Sequence, residues 1–192
     1  MTRISMSSLA ALSLVFCLCL IGGCKDTTAP PLPRIPPDLT QKEDVVYNLA
    51  LSYNKADIAQ YQKLLHEGYR FYNQTADVQR GMEQFRTRDW DINATTKMFL
   101  AAKGQLTADP AMNLDKLALE IRDGSWTAQD TVPGLGPCVD CWTTMRGYSL
   151  TLLLVGGQSG YMANGHVQII VVPVDEGGKK LYKIYRMDDI GE

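Results

Sequence analysis

From about residue 40 to residue 104 the apolar residues of this chain recur mostly every third or fourth position, and beyond residue 114 they recur every second. This change of period is the strongest constraint on its fold. A period of 3.6 collects side chains on one face of a helix, and a period of 2 collects them on one face of a strand. In "LDKLALEIRDG", Leu117, Leu119 and Ile121 alternate with Lys116, Glu120 and Arg122, which predicts a strand with one wet face. "WTTMRGYSLTLLLVGG" and "GHVQIIVVPV" predict two long strands. Glu176-Gly177-Gly178 predicts a hairpin turn, and "KKLYKIYRMDDI" a final strand. The Gly- and Pro-bearing stretch from Gly124 to Pro137 reads as a long loop.

The earlier half reads as helices around one strand. Thr40 and Glu43 form a capping box, and Val45, Val46, Leu49 and Tyr53 make one apolar face of a first helix. Asp57 caps a short second helix that buries Ile58, Tyr61, Leu64 and Leu65 and ends at His66-Glu67-Gly68. "YRFYN" is a strand by its aromatics, and "QTADVQRGMEQFR" reads as a loop. Thr87 or Asp89 caps a third helix with Ile92, Thr96, Phe99 and Leu100 inward, stopped by Gly104. Helix, helix, strand, helix and then a strand meander define an α+β domain, with N-terminal helices packed on one face of a curved antiparallel sheet.

The first residues of the 192-residue chain carry one positive charge at Arg3, then an apolar run from Leu9 to Ile21, and then Gly22, Gly23 and Cys24. The run is short for a bilayer-spanning helix. Leu20-Ile21-Gly22-Gly23-Cys24 resembles the lipobox of bacterial lipoprotein signal peptides. The resemblance implies cleavage before Cys24 and lipidation of its thiol, with Gly22 a departure from the commoner Ala or Ser. Acyl chains at Cys24 would hold the protein on a membrane. Lys25 rather than Asp after the lipid cysteine favours, by the same resemblance, the outer membrane of the bacterial cell envelope, facing the periplasm. The organisation expected is a signal peptide at 1–23, a Pro-rich tether at 24–39 and one domain at 40–192. Pro30, Pro31, Pro33, Pro36 and Pro37 forbid helix in the tether and favour extended polyproline II.

A net charge of −2 with no basic run gives no footprint for nucleic acid. Cys17 and Cys19 leave with the signal, so only Cys138 and Cys141 remain to pair in an oxidising compartment. "GPCVDCW" has no histidine after Cys141, which excludes c-type haem attachment, and no helix start that would activate a redox thiol. A local disulfide at the entrance to a strand is the best account. Cys138, Cys141, His66 and His166 are ligand types without a second paired spacing, so no metal and no cofactor is expected.

"YNKADIAQYQKLLHEGYRFYN" and "LYKIYRMDDI", in this order, resemble the opening and closing words of the NTF2-like superfamily, the cone fold of nuclear transport factor 2, ketosteroid isomerase and SnoaL-type cyclases. The resemblance covers about Thr40 to Ile190. It implies a cone whose interior receives Leu49, Tyr69, Phe71, Asn73, Trp90 and His166 as pocket candidates. Ungapped from the Asn54/Asp57 link, the isomerase's base falls on Asn73 and its oxyanion donor on Leu49. An amide has no useful basicity and Leu49 has no donor, so no catalytic residue is assigned. His166 also reads as a partly exposed strand residue, and Asp188 and Asp189 read as surface acids facing opposite ways. The reading is a non-catalytic module that binds a small apolar ligand or a partner protein, with a filled core and an enzyme of different residues as alternatives. Relatives pair through the open sheet face, so the resemblance also implies a homodimer.

Overall fold

The computed structural model describes residues 37–156 and 159–191. The expected signal peptide 1–23, Cys24 and the tether up to residue 36 lie outside the described residues. Four helices, α1 (Lys42–Asn54), α2 (Ile58–Leu64), α3 (Thr75–Gln79) and α4 (Arg88–Ala102), alternate with β1 (Leu65–Tyr72) and β2 (Phe85–Thr87). A 3-10 turn at Pro110–Met112 leads into β3 (Leu114–Ile121), β4 (Trp126–Val132), β5 (Gly136–Leu154), β6 (Gly160–Glu176) and β7 (Lys179–Gly191).

The seven strands form one sheet in the order β2-β1-β7-β6-β5-β3, with β4 also on β5. On its edge away from β6, β5 serves two partners because it is 19 residues long. Its first part pairs with β4 and its last with β3. The sheet is mixed rather than wholly antiparallel, since β1 runs parallel to β7. No hairpin joins these two strands; the chain passes through α4 and β3–β6 between them, and a long crossover permits the parallel direction. The Gly177-Gly178 turn is present, with φ of 65° and 79°, as a two-residue hairpin loop requires.

The principal core lies between the helices and the inner face of the sheet. It joins Val45, Val46 and Leu49 of α1, Tyr61 and Leu64 of α2, Phe99 of α4, and Tyr69, Leu119, Val167, Ile169 and Ile184 of the strands. A smaller cluster of Val132, Cys141, Ile170 and Val172, with Cys138 and Tyr185 against it, lies apart on neighbouring strand positions. Cys138 and Cys141 are joined in a disulfide, Cα atoms 5.8 Å apart, beside that cluster. Among the described residues, both apolar clusters and both partners of every strand pairing lie between Leu39 and Gly191, so this segment holds a complete core of its own.

Several boundaries differ from the sequence reading. The cap of α1 is Gln41, whose backbone N–H donates to Asp44 Oδ2 at 3.0 Å, so the box sits one residue later than Thr40/Glu43. α2 runs straight into β1, and His66, Glu67 and Gly68 are strand residues. Gly68 lies where the β1/β7 register shifts, and a Cβ there would sit 3.2 Å from the Tyr185 ring; close approach, not helix termination, explains the glycine. The stretch read as loop before α4 contains α3 and β2. The loop read from Gly124 to Pro137 contains β4, whose polar "TAQDT" faces water and hides the apolar alternation. On α4, Phe99 is buried and Ile92 packs against the core as expected, but Leu100 is exposed and Thr95 takes the buried position expected of Thr96.

Candidate functional site

A cavity of about 310 Å³ opens between the helices and the sheet. α1 supplies Leu49 and Tyr53, α2 Tyr61, and α4 Trp90, Asp91, Thr95 and Met98. The strands add Tyr69 and Phe71 of β1, Arg86 of β2, Leu119 and Ile121 of β3, Tyr148 and Leu150 of β5, Val167 of β6, and Met187 and Asp189 of β7. The residues of β1, β3, β5 and β7 come in i, i+2 pairs because alternation sends every second side chain inward. The aromatic wall is close-packed edge to face, with Tyr53 centred 5.7 Å from Tyr61 and 5.2 Å from Phe99.

Of the residues singled out from the sequence, Leu49, Tyr69, Phe71 and Trp90 line this cavity. Asn73 does not. β1 ends at Tyr72, and Asn73 folds back on the turn before β2, its Nδ2 donating to the Glu83 carbonyl at 2.7 Å. His166 does not either. It is exposed on β6, and its neighbour Val167 takes the inward position. Asp188 and Asp189 do face opposite ways, but neither is a simple surface acid. Asp188 is buried and accepts two bonds from Arg186 Nε at 2.9 Å, while Asp189 lines the cavity.

The polar chemistry of the cavity comes from residues the sequence reading passed over. Thr87 caps α4 by accepting from the Trp90 N–H at 3.4 Å, and this sets Asp91 in the first turn with its side chain toward the interior. Tyr61 donates its hydroxyl hydrogen to Asp91 Oδ2. Burial pushes the Asp91 carboxyl above its ordinary range, and the Tyr61 bond and the Arg86 charge pull partly back. Burial also raises Tyr53 to about 12, helped by the Asp91 charge, and raises Tyr61 and Tyr69 well above the usual phenol range. The phenols are therefore neutral donors at neutral pH. Tyr69 turns its hydroxyl to Met187 Sδ at 3.6 Å.

At the outer end Trp90 is 46% exposed, and the Arg86 guanidinium lies 4.3 Å from its ring centroid and 5.9 Å from that of Phe71. Asp189 accepts from Gln74 Nε2 at 3.4 Å and from the Gly191 N–H at 3.1 Å. Asp91 was legible in principle. It lies four and eight residues before Thr95 and Phe99, on the buried stripe, and a stripe placed one residue off conceals it.

No family model and no curated protein matches the sequence. Solved structures do match. An NTF2-like protein of unknown function in nutrient uptake from Rhodospirillum rubrum is 13% identical with a TM-score of 0.53, over 79% of this chain and 98% of that one. A conserved protein from Planctomyces limnophilus is 10% identical with a TM-score of 0.51, over 78% and 91%. A hexachlorocyclohexane dehydrochlorinase is 5% identical with a TM-score of 0.53, over 79% and 82%. The chain has the NTF2-like fold, an α+β arrangement of helices on a curved sheet.

Proposed function

We propose that this chain is a lipid-anchored protein of the bacterial cell envelope, held at Cys24, whose NTF2-like domain binds a small, mainly apolar ligand without catalysis. The observation that carries the binding reading is the cavity of about 310 Å³, walled by Leu49, Tyr53, Tyr69, Phe71, Met98 and Leu150, with few polar groups among them. Its volume falls at the small end of ligand sites, and its mix of apolar wall and sparse polar groups is theirs. Supporting the envelope reading are the lipobox-like ending at Cys24 and the Cys138–Cys141 disulfide, a bond that persists in oxidising compartments.

The segment from Asp38 to Glu192, screened by native mass spectrometry against small apolar and aromatic compounds, should retain ligands at one-to-one stoichiometry. A Leu150→Trp variant, which fills the cavity, should lose them. Retention unaffected by the filled cavity would place binding elsewhere and remove this reading in favour of a protein-interaction module. The anchor is tested in cells. Cys24→Ser should abolish lipid labelling and membrane retention, and unchanged retention would refute it.

A second reading, an enzyme acting on a small apolar substrate, draws on Asp91. A carboxyl in an apolar wall with a phenol donor is a proton-transfer group in kind. Release of altered compounds from the same ligand screen would favour it.

A further inference from the structure

We propose that the cavity selects a small organic cation, an ammonium or other onium head directed at Asp91 with an apolar body among the Tyr, Phe and Met side chains. This rests on the ligand-binding reading above and gives the ligand a charge. Three ionisable side chains other than phenols reach the cavity: Asp91 from α4, Asp189 from β7 and Arg86 from β2. Two are acids from different elements and one is a base.

Among the described residues none of the three forms an ion pair. Asp91 is met by a phenol, and Asp189 by an amide side chain and a backbone N–H, which are dipoles and not counter-charges. Arg86 lies instead over the ring faces of Trp90 and Phe71.

An occupant that fills an apolar cavity displaces the water that solvates these carboxylates. A neutral body leaves Asp91 with the Tyr61 phenol and the Arg86 charge outside ion-pair range, and desolvating a carboxylate that lacks a direct counter-charge is costly. A cationic head replaces that hydration with an opposite charge. An anionic head finds one guanidinium in the cavity lining against two carboxylates that oppose it. The wall chemistry agrees, since aromatic faces attract cations through their negative quadrupole. Arg86 over Trp90 at 4.3 Å is the protein's own instance of that contact at the cavity's outer end.

Three probes with the same benzyl body and a tetrahedral head of different charge decide the matter: benzyltrimethylammonium, neopentylbenzene and benzylsulfonate. Each is titrated into the Asp38–Glu192 segment and followed by amide chemical shifts, which also report that the chain is folded. The ammonium should bind about tenfold or more tighter than neopentylbenzene, and the sulfonate weakest.

Asp91→Asn keeps an oxygen to accept from Tyr61, so it should fold; it should cut ammonium affinity about tenfold and leave neopentylbenzene unchanged or tighter. In the wild type, the ammonium preference should fall as acid protonates Asp91. The groups facing Asp91 across the cavity in that titration are Tyr53 of α1, Tyr61 of α2, Tyr69 of β1, Arg86 of β2, Tyr148 of β5 and Asp189 of β7.

Equal or tighter binding of neopentylbenzene or benzylsulfonate overturns the cation inference and leaves the binding reading standing. Binding of none of the three by folded protein overturns both.

Discussion

Asn54→Ala should destabilise the fold more than its exposed position indicates. The Asn54 side chain stands at the end of α1 and reaches the free edge of β3. Its Nδ2 donates to the Leu119 carbonyl at 3.1 Å, and its Oδ1 accepts the Leu119 N–H at 2.9 Å. It pairs with that residue as a neighbouring strand would. Leu119 is only 8% exposed and packs in the principal core, so water has poor access to the two backbone groups once the amide is gone. A lost net hydrogen bond is worth about 1 kcal/mol and a buried group left unsatisfied about 1–3 kcal/mol. Two groups with partial solvent access give about 2–4 kcal/mol.

In urea, with a slope of about 2 kcal/mol/M, the midpoint should fall by about 1–2 M with the slope unchanged. The Leu119 amide should exchange faster with solvent than its strand neighbours. Asn54→Asp keeps the acceptor but sets a carboxylate oxygen against the Leu119 carbonyl, and should be at least as damaging at neutral pH. A midpoint shift under about 0.3 M for Asn54→Ala, with Leu119 still protected, would refute the argument, because the edge would then be satisfied without Asn54.

Three further perturbations probe other parts of the fold. Asp140, at φ 63° between the two cysteines, accepts from Lys180 Nζ and Trp142 Nε1 at 2.6 and 2.8 Å and from the Tyr182 hydroxyl, and these bonds, that of Lys180 foremost, hold its carboxyl down at about 2. A depressed carboxyl stabilises above its unfolded range and loses that contribution as pH falls, so the stability gap between wild type and Asp140→Asn should close from about pH 4 down to about 2 in pH-dependent melts. Replacing Cys138 and Cys141 together by Ala should cost up to about 2 kcal/mol by denaturant titration, since the closed loop is short, with the loss felt at Val132 and Tyr185 in hydrogen exchange. Asp57→Ala removes the bond from the Gln60 N–H at 3.0 Å and should cost about 1 kcal/mol, shifting the melt without altering ligand retention.

The short word Asn54-Lys55-Ala56-Asp57 shows how sequence and structure divide the information. That it interrupts two helices and that Asp57 starts the second were legible, because capping is a local hydrogen bond read over three residues. Why it holds an asparagine was not, because the partner of Asn54 is 65 residues away on β3. Asn73, placed in the pocket by resemblance, instead closes the turn before β2. The identity of a residue at the end of a strand does not say whether the strand has already ended.

The sequence by itself determined what is local and periodic: the change from helical to alternating spacing, the N-cap at Asp57, the glycine hairpin at Gly177-Gly178 and the pairing of the one CxxC. Those follow from backbone geometry within a few residues. Tertiary structure alone decided the parallel placement of β1 on β7, the presence of the polar strand β4, and the chemistry of the cavity. Asp89 and Asp91 are equivalent in sequence, two acids in the first turn of α4 that favour the helix dipole alike. Packing separates them: Asp89 is exposed, while Asp91 meets the Tyr61 hydroxyl from α2 inside an aromatic wall, and only that burial turns a helix-start acid into the polar centre of a site.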